Sequence, residues 1–99
     1  MSMQVRMTRV DLDWINALRD RVARARIQVR IDRLVHGNPG QSRHLGQGVS
    51  ELKIDVGPGY RVYYCERGGE LIILLAGGDK STQSHDIKLA FTLAETLED

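Results

Sequence analysis

The chain has 99 residues, 41% of them apolar and 27% charged, which is the size of one domain with its own core and leaves no room for a second. The net charge of +1 does not by itself point to a polyanionic partner, and the single cysteine, Cys65, excludes an internal disulfide. No apolar run approaches the roughly 20 residues that span a bilayer, and MSMQVRMTRV lacks the continuous apolar stretch of a secretory signal, so a soluble cytoplasmic protein, one domain over residues 1–99 and without a membrane partner, is expected.

Gln4 to Thr8 suits a short first strand. Asp11 is a suitable N-cap, and Trp14, Ile15 and Leu18 then recur at helical spacing. The same line runs on through Val22, Ala25 and Val29, while Ile27, Ile31, Leu34 and Val35 widen the expected buried face. Arg19, Arg26, Arg30 and Arg33 fall on another line, so a helix turns them into a cationic stripe. The pattern leaves open whether residues 11–36 form one helix or a hairpin of two with Arg19-Asp20-Arg21 at the corner. Residues 1–50 hold nine arginines and four aspartates, whereas residues 51–99 hold five basic and nine acidic groups. That asymmetry suits either a polyanion held at one face or a pair of solvated helices. His36-Gly37-Asn38-Pro39-Gly40 ends the helical half, because Gly supplies a C-cap and Pro cannot continue the helix.

The second half changes period. From Val49 to Val56, Glu51, Lys53 and Asp55 point one way while Leu52, Ile54 and Val56 point the other. Gly57-Pro58-Gly59 is a tight turn. The next strand, Tyr60 to Glu66, has Arg61, Tyr63 and Cys65 on one face. A loop at residues 67–70 leads into Leu71 to Ala76, apolar throughout and so expected inside the sheet, covered on both sides. Gly77-Gly78 is expected to end that strand, and Ser81 or Thr82 to cap a last helix with Ile87, Ala90, Phe91, Ala94 and Leu97 as its apolar face. The expected class is therefore α+β: an N-terminal strand and a helical half, then an antiparallel three-strand meander and a C-terminal helix. This makes a four-stranded sheet with helices on one face and the other face free.

The histidines His36, His44 and His85 are scattered and there is no second cysteine, so a zinc site is not expected. What a plain sheet does not require is the set Glu51, Lys53 and Arg61, joined by Lys80 after the glycine pair. In a meander these groups can converge on the open face. Cations beside a carboxylate suit phosphodiester cleavage, which must take a proton from a 2′-OH, stabilise a phosphorane and protonate the leaving 5′-oxygen. Arginine binds phosphate through a planar fork, and a lysine among other cations can exchange protons. The same residues would equally serve as cross-strand ion pairs on a solvated face.

Two dense motifs, GPGYRVYY at residues 57–64 and GGDKSTQ at residues 77–83, together with Trp14-Ile-Asn-Ala-Leu-Arg-Asp and Arg26-Ile-Gln-Val-Arg-Ile-Asp-Arg-Leu, resemble the RelE/ParE toxin superfamily, most closely its HigB-like addiction-module killer proteins. The resemblance covers nearly the whole chain. It implies a RelE-like fold and a toxin of a type II toxin–antitoxin pair, acting as a ribosome-dependent mRNA endoribonuclease without metal or cofactor. The implied partners are the ribosome with its mRNA and a cognate antitoxin, typically an Xre-type helix-turn-helix protein. Carried over, Arg61 matches a phosphate-contacting arginine, Lys53 a lysine of proton transfer or charge stabilisation, and Lys80 a cation after the glycine turn. Some relatives have a tyrosine early in the last helix region. This chain reads Ser84-His85-Asp86 there, so His85, oriented by Asp86, could substitute, the other reading being a surface histidine beside an acid of the first helical turn. Tyr63 is expected either to stack on a base or, equally, to fill a core or rim position, and Arg26, Arg30 and Arg33 to contact RNA. The alternatives are a ParE-like gyrase inhibitor without chemistry and a decayed toxin that only binds its antitoxin.

Overall fold

In a computed structural model, which describes residues 3–97, the elements are β1 (Gln4–Met7), α1 (Arg9–Ala17), α2 (Arg21–Val35), β2 (Ser42–Gly46), β3 (Val49–Ile54), β4 (Tyr60–Arg67), β5 (Leu71–Asp79), a 3₁₀ turn (Lys80–Thr82) and α3 (Gln83–Thr96). The sheet has five strands, not four, in the order β1-β5-β4-β3-β2. β2 to β5 are antiparallel neighbours and β1 adds parallel to β5. The extra strand, β2, lies in a Gly- and polar-rich stretch with no apolar alternation of its own. Pairing with β3 gives it its form, and Gln47 and Gly48, both at positive φ (51° and 78°), make the tight hairpin turn between the two.

The helical half is a hairpin with the corner at residues 18–20. Asp20 caps α2 by accepting from the Ala23 N–H at 3.1 Å. Thr8, not Asp11, caps α1: its hydroxyl accepts from the Asp11 N–H at 3.1 Å and donates to the Leu75 carbonyl at 2.6 Å. Along α2 the buried line is Ala23, Ile27, Ile31 and Leu34. The expected line through Val22 and Val29 faces outward, with those residues 63% and 46% exposed. Period 3.6 allowed both lines, and the one that carries Ile27, Ile31 and Leu34 went inward.

Helices cover both faces of the sheet. On one face α1 and α2 pack over Leu52, Val62, Tyr64, Ile72 and Leu74. On the other, Ala90 and its α3 neighbours pack over Val49, Tyr63, Cys65, Ile73 and Leu75. The expectation of one free face is therefore wrong, because α3, amphipathic as read, folds back over the second face. The glycine pair does not end β5, which runs on through Gly77 and Gly78 to Asp79. It lets the helices come close. A Cβ on Gly77 would lie 2.1 Å from the Trp14 ring, and one on Gly78 would lie 1.9 Å from Asp86 Oδ2. Gly77→Ala is expected to lower stability by about 1–3 kcal/mol through displacement of Trp14, measurable in urea melts; an unchanged midpoint would show that the indole moves aside freely. No helix among the described residues is long and apolar enough to cross a membrane.

Candidate functional site

Strand register assembles the site. Lys53 stands opposite Arg61, and Arg61 opposite Gly78; one row along, Arg43, Glu51, Tyr63 and Ala76 form a line across four strands. Alternation sends both rows to the α3 face. The side chains at the β2 end of these rows border a cleft of about 450 Å³, lined by Arg43, Glu51, Lys53 and Arg61, with Gln41 and Ser42 on the sheet edge and Gln83 at the start of α3.

Glu51 is the hub. It is 3% exposed, and its two oxygens are held by three groups. Oε2 accepts from Arg43 Nε at 2.7 Å, while Oε1 accepts from Gln83 Nε2 at 2.6 Å and lies 3.3 Å from Arg61 Nε. A buried carboxylate needs such partners, and these are charge-assisted. Arg61, 5% exposed, is fixed in turn: Nη1 donates to the Gly59 and Tyr60 carbonyls at 3.0 and 3.1 Å. Nη2 bonds to no described residue. Lys53 is the one exposed residue of β3. The cleft thus sets three cations around one carboxylate, leaving positive charge where Lys53 and Arg43 meet solvent.

Of the expected site residues, Glu51, Lys53 and Arg61 come together. Lys80 lies beside them: a Cβ on Gly59 would be 3.4 Å from Arg61 Nη1 and 3.7 Å from the Lys80 Cβ. His85 and Asp86 do not line the cleft. The Asp86 carboxylate is packed on Gly78 and accepts from the Thr82 hydroxyl at 2.6 Å, with the largely exposed His85 ring 3.4 Å from its other oxygen. Tyr63 corrects an expectation. It is fully buried under α3, its hydroxyl without a hydrogen-bond partner, so it presents no ring face for stacking. Burial, and then the Glu51 and Asp86 carboxylates, push its phenol above the ordinary range. Of the arginine stripe, Arg26 and Arg33 are exposed on the outer side of α2, whereas Arg30 is engaged by the fold, donating to three backbone carbonyls. Among the described residues, no three His, Cys, Asp or Glu side chains gather where they could hold a metal ion.

Arg43 and Gln83 are the residues that sequence reasoning missed. Arg43 sits on a strand with no strand-like pattern, and Gln83 was legible only as part of a motif. Arg43 stands opposite Glu51 across β2 and β3, a pairing no local spacing announces.

The chain matches, over residues 13–95, the family described as phage derived protein Gp49-like. A protein of Haemophilus influenzae, described only as uncharacterized, is 46% identical over 97 residues, 98% of each chain. Toxin RelE of E. coli, solved in the free state as a double arginine-to-alanine mutant, superposes with a TM-score of 0.69 at 13% identity, covering 89% of this chain and 97% of that one. At that identity the likeness is one of fold.

Proposed function

We propose a toxin function for this chain because it belongs to the phage-derived Gp49-like family and its fold is that of the RelE/ParE toxin superfamily. In this reading it is the toxin of a type II toxin–antitoxin pair, HigB-like in its motifs. It cleaves mRNA on the ribosome and is held in check by an antitoxin, expected to be of the Xre helix-turn-helix type. The observation that supports this most is the cleft in which Arg43, Lys53 and Arg61 surround the buried Glu51.

Cleavage of RNA forms a bond from the 2′-oxygen to phosphorus and breaks the bond from phosphorus to the 5′-oxygen. The 2′-proton passes to solvent water, and the 5′-oxygen gains one from a protonated side chain. The fixed guanidinium of Arg61 suits the negative charge that gathers on the phosphoryl oxygens in between, since its orientation is set before substrate arrives. Arg43, with a side chain 62% exposed, is open to an RNA phosphate from the sheet edge. Lys53 is placed to pass a proton to the 5′-oxygen. Glu51, engaged by two arginines and Gln83, orients them and is no free base. Arg26 and Arg33 offer phosphate contacts on the far side of α2, where replacement of both should reduce the salt dependence of ribosome association.

The test is induction of the chain without its partner, followed by mapping of transcript ends. Growth arrest with cuts inside translated messages, abolished by Lys53→Ala, is expected. Arrest with intact transcripts and blocked DNA supercoiling would instead identify a gyrase inhibitor, and harmless induction would identify a binding remnant.

A further inference from the structure

Arg30 lies on α2, on the other side of the sheet from the α3-covered face, yet its guanidinium holds the backbone of the cleft. Nη1 donates to the Lys53 carbonyl at 2.7 Å, and Nη2 donates to the Gln41 carbonyl at 2.9 Å and the Pro39 carbonyl at 3.0 Å. The Gln41 carbonyl also accepts the Lys53 N–H at 3.0 Å. Both backbone polar groups of Lys53 are therefore tied to one small network, whose other members lead directly into the Gln41–Arg43 edge of the cleft. Gly40 is shaped to this arrangement: it holds φ +64°, and a Cβ there would lie 3.2 Å from Arg30 Nη2.

β2 is an edge strand, paired only with β3, and residues 37–41 before it belong to no helix or strand. Within β2 the ladder to β3 and a side-chain hydrogen bond from Ser42 to Tyr64 hold the strand, but the segment before it has Arg30 as its side-chain anchor. Three carbonyls from two separate segments need several donors in one rigid plane, which guanidinium has and ammonium lacks. We infer that Arg30 is a positioning residue: by latching the Pro39–Gln41 segment to Lys53, it sets the spacing of Lys53 and Arg43 about Arg61. This rests on the cleft being the site proposed above. It also replaces the expectation that Arg30 serves mainly to bind RNA, since three of its five N–H donors are already engaged by the fold.

The experiment compares the parent with Arg30→Gln, Arg30→Lys and Gly40→Ala. Amide exchange is measured on each, along with cleavage of a reporter mRNA in a translating extract over a range of ribosome concentrations. In Arg30→Gln the Lys53 amide is expected to exchange about tenfold faster while the amides of β5 stay unchanged. Its kcat should fall about tenfold or more, with KM within about twofold. Arg30→Lys should behave like Arg30→Gln because the charge alone cannot hold three carbonyls. Should either Arg30 variant fail to fold, Gly40→Ala should loosen the same amide from the other side of the latch. Unchanged exchange at Lys53, or a raised KM with kcat intact as for an RNA contact, would overturn the inference. If the parent cuts no message, the nuclease reading fails, and the exchange result alone then decides the latch.

Discussion

Arg61→Ala is expected to lower mRNA cleavage by about 10²-fold or more while the protein still folds. The guanidinium is 5% exposed and fixed on three sides, by Glu51, the Gly59 carbonyl and the Tyr60 carbonyl. A donor held in this way needs no reorganisation when charge develops on the phosphoryl group, and that is where its catalytic effect lies. Removing it leaves Glu51 with Arg43 and Gln83 as partners, so the carboxylate is not orphaned and the loss of folding stability stays below that for breaking an isolated buried pair. Arg61→Lys separates charge from geometry: it keeps the cation but loses the fork, and most of the activity should go with the fork. Cleavage in a translating extract, with melting curves on the same preparations, measures both effects. Parent-like cleavage by a folded Arg61→Ala protein would remove Arg61 from the chemistry and with it the main support for a nuclease.

Asp11→Asn is expected to stabilise the fold, and more so as pH rises. Asp11 lies at the third position of α1, where a carboxylate can reach back to the N–H of the capping residue. Here that N–H, on Thr8, donates instead to the Leu74 carbonyl at 3.0 Å. The Asp11 carboxyl is fully buried with neither oxygen bonded, and burial raises its pKa to about 7. In the unfolded chain it titrates near 3.8. Between those values the folded state holds a proton that the unfolded state releases, so stability falls as pH rises from about 4 to about 7 and then levels off. At the plateau the cost is about 4 kcal/mol. Asparagine removes the titration, so its advantage over the parent should grow by roughly 2–3 kcal/mol between pH 5 and pH 8. Urea melts at the two pH values give the answer; an equal difference at both would mean that the Asp11 carboxyl finds a partner or reaches water.

Much of this was readable before folding. Leu52, Ile54 and Val62 alternate with polar residues, and Leu71 to Leu75 do not alternate because both of their faces are covered. The Gly-Pro-Gly turn follows from local backbone chemistry, whereas the corner at Asp20 was one of two readings that the spacing allowed and the structure selects it. Lys53 and Arg61 stood out because a sheet does not need them, and the register places them opposite each other. Tyr63, by contrast, shares a strand face with Arg61, and period 2 says nothing of which part of that face a helix will cover. The arginine stripe misled in the same way: helical spacing put Arg30 beside Arg26 and Arg33, but Pro39, Gln41 and Lys53, whose carbonyls bind it, come from other parts of the chain.

The sequence by itself determined the helical half, the strands β1, β3, β4 and β5 and the last helix in their order, and singled out the pair Lys53 and Arg61, because these depend on neighbours within a few residues. Only the tertiary structure decided that β2 joins the sheet, that α3 closes over the second face, that Glu51 is a buried hub shared by Arg43, Arg61 and Gln83, and that Arg30 donates to the carbonyls of Pro39, Gln41 and Lys53. Each of those depends on which distant groups burial brings within hydrogen-bonding reach. Buried polar groups have to find partners wherever the packed chain supplies them, and no local pattern records that choice.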